Sequence, residues 1–235
     1  MDKIYLNIKE IDMNIAVAID GPVGAGKSSI ARQAAKKIDF IYVDTGAMYR
    51  GIGLYTVRKG VATRDAEAVI ALLPEIELDI KIVEGTQRVF LNGEDVSEDI
   101  RLPEISMAAS DVSAIPEVRA FLLDLQRGFA KTNNVIMDGR DIGTVILPDA
   151  EVKIYLTADA EVRAKRRYDE LIAKGKDVKY EDVLADLNQR DYNDMNREIA
   201  PLRAADDAVI ADTTELDFEQ SCELIVEIIK EKAGI

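Results

Sequence analysis

The chain has 235 residues, 48% of them hydrophobic, and carries 30 basic against 44 acidic side chains, a net charge of −14. This balance suits one ordinary globular core with room for a smaller lobe and excludes wholesale disorder, and the acidic surplus argues against a general affinity for nucleic acid. The absence of histidine excludes imidazole acid–base catalysis and histidine metal sites, and the single cysteine, Cys222, excludes an internal disulfide.

Met1–Asp12 mixes charge with Ile, Tyr and Leu and lacks the continuous apolar segment of a signal peptide. No apolar run reaches the ~20 residues of a membrane helix, so a cytoplasmic protein is expected. Asn14–Asp20 reads NIAVAID, a buried strand of the parallel-sheet kind that ends at a Gly-rich turn. A helix follows over Lys27–Ile38, then a strand over Phe40–Val43 and helices over Ala47–Lys59 and Asp65–Leu73. The period then changes. Ile76, Leu78, Ile80 and Ile82 alternate with charged residues, which predicts a strand with one wet face. A turn at Glu84-Gly85, a strand over Arg88–Leu91 and a turn at Asn92-Gly93 complete a small antiparallel sheet. Helices are expected over Glu104–Ser113 and Glu117–Lys131, with Pro103 and Pro116 at their starts. Parallel-type strands resume at Asn134–Met137 and Val152–Leu156. Charged helices then cover Ala160–Lys174 and Tyr180–Asn196. A strand over Ala208–Ala211 and an amphipathic helix over Phe218–Lys232, with Cys222 on its apolar face, close the chain. The fold class is therefore α/β, a parallel sheet flanked by helices, with an insertion near 45–130 and a basic helical segment near 160–197.

Gly21-Pro22-Val23-Gly24-Ala25-Gly26-Lys27-Ser28 meets the pattern Gly-x4-Gly-Lys-Ser, and it lies where a buried strand passes into a helix. Glycines let the backbone turn tightly and aim its N–H groups inward, and a helix N-terminus adds roughly half a positive charge. The loop is thus expected to hold a nucleoside triphosphate. Lys27 would reach the β- and γ-phosphates, and Ser28 would offer its hydroxyl to Mg²⁺. Val135-Ile136-Met137-Asp138 is a hydrophobic strand ending in an acid, which places Asp138 near the same cation.

The arginines then separate the kinds of phosphate-loop protein. Arg163, Arg166 and Arg167 crowd one helical segment, Arg190 and Arg197 are seven apart with Asp194 between them, and Arg50 and Arg140 follow Gly-containing turns. Guanidinium groups match phosphate oxygens and stay charged at any relevant pH. No Asn-Lys-x-Asp element for guanine is present. These residues point to a kinase with a second anionic ligand. They leave open the acceptor (CMP, UMP, AMP or shikimate) and a non-catalytic ATP-binding switch.

Four motifs occur in order: Ile19-Asp20-Gly21-Pro22-Val23-Gly24-Ala25-Gly26-Lys27-Ser28-Ser29, Asp44-Thr45-Gly46-Ala47-Met48-Tyr49-Arg50, Asp138-Gly139-Arg140-Asp141-Ile142-Gly143-Thr144, and Arg190-Asp191-x-x-Asp194-x-x-Arg197 before Ala200-Pro201-Leu202. From about Asn14 onward the chain resembles the bacterial cytidylate kinases, within the nucleoside monophosphate kinases. The resemblance implies a P-loop core from 13–44, 131–162 and 198–235, an inserted monophosphate-binding domain over 45–130, a lid over 163–197 and an extension over 1–12. It implies ATP and CMP or dCMP as substrates, Mg²⁺ as cofactor, and a monomer with no nucleic-acid or membrane partner. It assigns the ATP phosphates to the loop from Gly21 to Ser29. Thr45, Tyr49 and Arg50 would line the CMP site, with Ser110 and Arg119 reading the base. Arg140 would bind phosphate, Asp141 would accept from the cytosine amino group, and Arg190 and Asp194 would contact the pentose. Lys27, Arg140, Arg197 and the lid residues Arg163, Arg166 and Arg167 would act in phosphoryl transfer.

Overall fold

A computed structural model describes residues 14–83 and 86–235. The expected N-terminal extension and the turn at Glu84-Gly85 lie outside the described residues. Five parallel strands form the centre: β1 (Ala16–Asp20), β2 (Ile41–Asp44), β6 (Val135–Gly139), β7 (Val152–Thr157) and β8 (Val209–Asp212), in the order β2-β6-β1-β7-β8. The all-apolar β1 takes the middle, hydrogen-bonded to β6 on one side and β7 on the other. Every one of its residues is buried, as a strand covered on both faces requires.

Alternation along the strands sorts side chains to two faces. Val17, Ile19, Ile136, Ile154 and Leu156 pack against α1 (Lys27–Lys37) and α8 (Phe218–Ala233), where Cys222 is buried beside Ile225 and Ile229. Asp217 and Gln220 form a reciprocal capping box that starts α8. Ala16, Ala18, Val43, Val135 and Met137 face the other way. They belong to a cluster that runs on through Met48 and Ile52 of α2 (Thr45–Arg58).

Between β2 and β6 the chain adds α3 (Ala66–Leu72), β3 (Leu78–Val83), β4 (Thr86–Leu91), the two-residue β5 (Glu94–Asp95), α4 (Pro103–Ser113) and α5 (Pro116–Thr132). Pro103 and Pro116 open their helices as expected. Alternation holds in β3, where Ile80 is buried between exposed Asp79 and Lys81. The strand starts at Leu78 because Leu73–Glu75 forms a 3₁₀ turn first. Asn92 and Gly93 both take positive φ, 49° and 83°, the geometry of a tight hairpin turn into β5. Ile80, Val89 and Leu91 join the same buried cluster as Met48 and Met137, so the small sheet is continuous in packing with one face of the large one.

Between β7 and β8 stand α6 (Ala160–Ala173) and α7 (Tyr180–Asn196), held together by Ala164, Val183 and Leu187 and by an edge-to-face contact of Tyr168 with Tyr180, centroids 6.1 Å apart. No helix among the described residues is long and apolar enough to cross a membrane.

Candidate active site

Three parallel strands lead into acids at their carboxyl ends: Asp20 closes β1, Asp44 closes β2, and Asp138 is the penultimate residue of β6. Open parallel sheets place ligands at these ends. A cavity of about 740 Å³ opens there, between the loop after β1, the start of α2, α4 and the α6–α7 pair.

The loop between β1 and α1 is shaped by glycine. A Cβ at Gly21 would stand 2.0 Å from the Leu156 carbonyl oxygen, and Gly26, at φ 85°, is the left-handed residue from which α1 starts. Val23, Gly24, Gly26, Lys27, Ser28 and Ser29 line the cavity. Gly21, Pro22 and Ala25 shape the loop from behind: Ala25 is fully buried, and the Pro22 carbonyl accepts from Lys27 Nζ at 2.7 Å. Burial first, and then the neighbouring Arg140, pull the Lys27 ammonium down to about 7.

Ser28 donates its hydroxyl to Asp138 at 2.8 Å, and Tyr42 of β2 donates to the other carboxylate oxygen at 2.8 Å. Burial and the charge of Asp44 push the Asp138 carboxyl up. The pair of Ser28 hydroxyl and Asp138 carboxylate is an all-oxygen donor set, and the buried carboxylate beside a second acid gains from a cation. Both features fit Mg²⁺.

Paired charges line the rest of the cavity. Arg50 meets Asp44 at 2.7 Å, and Arg140 Nε meets Asp194 at 2.7 Å. Asp141 is held between Arg119, in direct contact, and Arg197 at 3.3 Å. Arg119 lies over the Tyr49 ring, 5.6 Å from its centroid, and donates to the Ser113 carbonyl at 3.2 Å. Thr45 donates to the Asp138 carbonyl at 2.8 Å. Ser110 and Arg190 also line the cavity, Arg190 with Asp186 3.9 Å away. Arg197 stands just past the end of α7 in extended backbone, so it does not continue the helical face of Arg190. Its Nε donates to the Ala200 carbonyl at 2.6 Å.

The three lid arginines divide. Arg167 lines the cavity and pairs with Glu170 at 2.7 Å. Arg166 donates to the Thr213 and Leu216 carbonyls at 2.6 and 3.1 Å, beside a second cavity of about 440 Å³ that also borders Gly26, Ser29 and Phe218. Arg163 is buried and lines neither cavity; its guanidinium is spent on Asp191, Val23 and Ala158.

Asp20, Tyr42, Asp44, Gln87 and Asp191 also shape the site, although the sequence motifs carry no role for them. Asp20 accepts from Ile142 and Gly143 N–H, both at 2.8 Å, and so holds the single π-helical turn Ile142–Ile146 that follows Arg140-Asp141. Gln87 of β4 accepts from Asp44 N–H at 2.8 Å and donates to its carbonyl at 3.1 Å, tying the small sheet to the end of β2. The acids at strand ends were a readable signal. The Gln87 bridge, 43 positions away along the chain, was not.

A cytidylate kinase family profile matches residues 17–231. The cytidylate kinase of Caldicellulosiruptor saccharolyticus is 52% identical over 220 residues, covering 94% of this chain and 97% of its own. That of Carboxydothermus hydrogenoformans is 50% identical over 221 residues, covering 93% and 99%. Among solved structures, an uncharacterized protein from Eubacterium ventriosum aligns with a TM-score of 0.52 at 14% identity, over 92% of this chain and 99% of its own, a likeness of fold alone. With the profile spanning most of its length and relatives this similar from end to end, the chain belongs to the cytidylate kinase family.

Proposed function

We propose that the protein transfers the γ-phosphoryl group of ATP to CMP and dCMP, giving ADP and CDP or dCDP. One observation carries this reading: a single cavity is lined both by the phosphate loop and by Arg50, Arg140 and Asp141, so donor and acceptor would meet in one space. A nucleotide switch needs only the phosphate loop.

An oxygen of the CMP phosphate attacks the γ-phosphorus, and the bond to the β–γ bridging oxygen breaks with its electrons leaving on ADP. The attacking oxygen is already anionic at neutral pH and needs no base, in keeping with a histidine-free chain. Catalysis then rests on alignment and on neutralising charge in a site closed to water. Lys27, buried and poised to regain its full charge beside a triphosphate, holds the donor oxygens. Arg50 and Arg140 exchange Asp44 and Asp194 for the acceptor phosphate, and Arg197 and Arg167 meet the moving group. Asp141 accepts from the cytosine amino group, which sets it against the O4 acceptor of uracil. Ser28 and Asp138 would hold Mg²⁺, which when bound neutralises and orients the phosphates. Residues 45–130 would carry the acceptor and 163–197 the lid, in a cytoplasmic monomer.

Coupled assays of ADP release with CMP, dCMP, UMP, AMP and shikimate test the reading. Turnover is expected to be fastest with CMP or dCMP. Equal or faster turnover with AMP or shikimate would reject the acceptor assignment, and ATP binding without acceptor-dependent turnover would reject the enzyme.

A further inference from the structure

Both backbone polar groups of Val23 are taken by side chains from the α6–α7 pair. Its N–H donates to Asp191 Oδ1 at 3.0 Å, and its carbonyl accepts from Arg163 Nη1 at 2.7 Å. The same Nη1 meets Asp191 Oδ2 at 2.6 Å, and Arg163 Nε reaches the Ala158 carbonyl at 2.8 Å. Arg163 is 6% exposed and Asp191 7%. The helices also sit flush on the loop: a Cβ at Gly24 would meet Leu187 Cδ2 at 3.2 Å and Arg163 Cβ at 3.3 Å. Arg163 lies in the first turns of α6, next to β7, and Asp191 lies in the last turns of α7, so the contact is at the base of the helical pair and far from its tip at 174–179.

We propose that Arg163 and Asp191 form a buried bracket around the Val23 peptide that sets the shape of the phosphate loop, which makes them positioning residues for the ATP donor. The proposal rests on the reading of Gly21–Ser28 as the donor site. A guanidinium committed to two carbonyls and a carboxylate has little left to offer a phosphate, so Arg163 acts through the loop and Arg167 alone of the three faces the main cavity. Neither partner is dispensable, because removing one leaves the other buried without its counter-charge. The bracket also ties the base of the two helices to the loop.

Steady-state kinetics of wild type, Arg163→Lys, Asp191→Asn and the double variant, with ATP and CMP varied separately, test the bracket. Each single variant is expected to raise the KM for ATP about tenfold and to leave the KM for CMP within about twofold, and the double variant to add little to either. A fall in kcat with the ATP KM unchanged overturns the proposal, since Arg163 would then act on the transferring group. Equal weakening of both substrates together with a lowered melting midpoint also overturns it, leaving only a structural role. Should the variants fold poorly, amide exchange in the wild type decides. A slowly exchanging Val23 N–H supports the bracket, and an unprotected one overturns it. Calorimetry with ATP alone separates the two levels: a wild type that does not bind ATP removes the donor reading itself, whereas wild-type binding left unweakened in the variants removes only the bracket.

Discussion

The two walls of the cavity are built from different materials. The donor wall is backbone: a loop whose curvature comes from glycine conformations, backed by Lys27 and braced through the peptide of Val23. The acceptor wall is side chains: Arg50 with Asp44, Arg140 with Asp194, and Arg119 and Arg197 around Asp141. A backbone cradle is rigid and fits any triphosphate, because phosphates are alike. A wall of paired charges can be exchanged, and each arginine released to the acceptor phosphate leaves a carboxylate to be rehoused. On the proposed function, the first wall would supply affinity for the donor, and the second would be where acceptors are told apart.

Breaking the donor wall should have the largest effect. Gly21→Ala places a methyl 2.0 Å from the Leu156 carbonyl oxygen, a backbone atom that cannot rotate away, in a residue at φ 152°. The loop must move off its strand. Turnover is expected to fall by roughly 10³-fold or more, comparable to losing an electrostatic element of a transition-state site. Near-wild-type turnover, with ATP binding intact by calorimetry, would show that the loop tolerates another curvature.

Breaking the acceptor wall at Asp141 should act on selectivity more than on rate. Asp141→Asn keeps the shape but brings an amide that can turn either a donor or an acceptor to the base, and it weakens the grip on Arg119 and Arg197. The ratio of kcat/KM for CMP over UMP is expected to fall roughly tenfold, the scale of one altered hydrogen-bonding partner. An unchanged ratio would move base recognition to Ser110 and Arg119.

The same contrast governs what the sequence made legible. Elements with a strong local signature were read nearly to the residue: the apolar β1, the Gly-rich loop, the alternating β3, the proline-started α4 and α5. β5 escaped because two exposed acidic residues carry no pattern. The π-helical turn at Ile142–Ile146 escaped because it is held by Asp20, more than a hundred positions earlier, and not by local propensity. Arginine spacing alone cannot tell Arg163, turned into the base of α6–α7, from Arg167, turned to the cavity. That difference depends on where Asp191 and Val23 lie in space.

Asp20 joins the two walls, and its ionisation gives the smallest and most specific test. It ends β1 directly beneath the phosphate loop, yet its carboxylate accepts from the backbone of Ile142 and Gly143 on the acceptor side. Burial, chiefly, drives its carboxyl from the usual 3.8 up to about 6; the two N–H donors and Lys27 oppose this, while the charge of Asp141 assists. With a raised folded value, the native state binds the proton more tightly than the unfolded chain. Stability from this group is therefore present below 3.8 and is lost as pH rises to about 6. The full difference corresponds to about 3 kcal/mol at 1.36 kcal/mol per pKa unit. Asp20→Asn cannot ionise, and its amide oxygen can accept from only one of the two N–H groups, so the variant should start less stable than the wild type near pH 4 by an offset that does not change with pH. From there toward pH 7 the variant should gain on the wild type by up to about 3 kcal/mol. Denaturant unfolding of both proteins across this range reads the difference directly. Parallel curves would show that the donors from Ile142 and Gly143 satisfy the charge fully, and that the junction between the walls is as settled ionised as neutral.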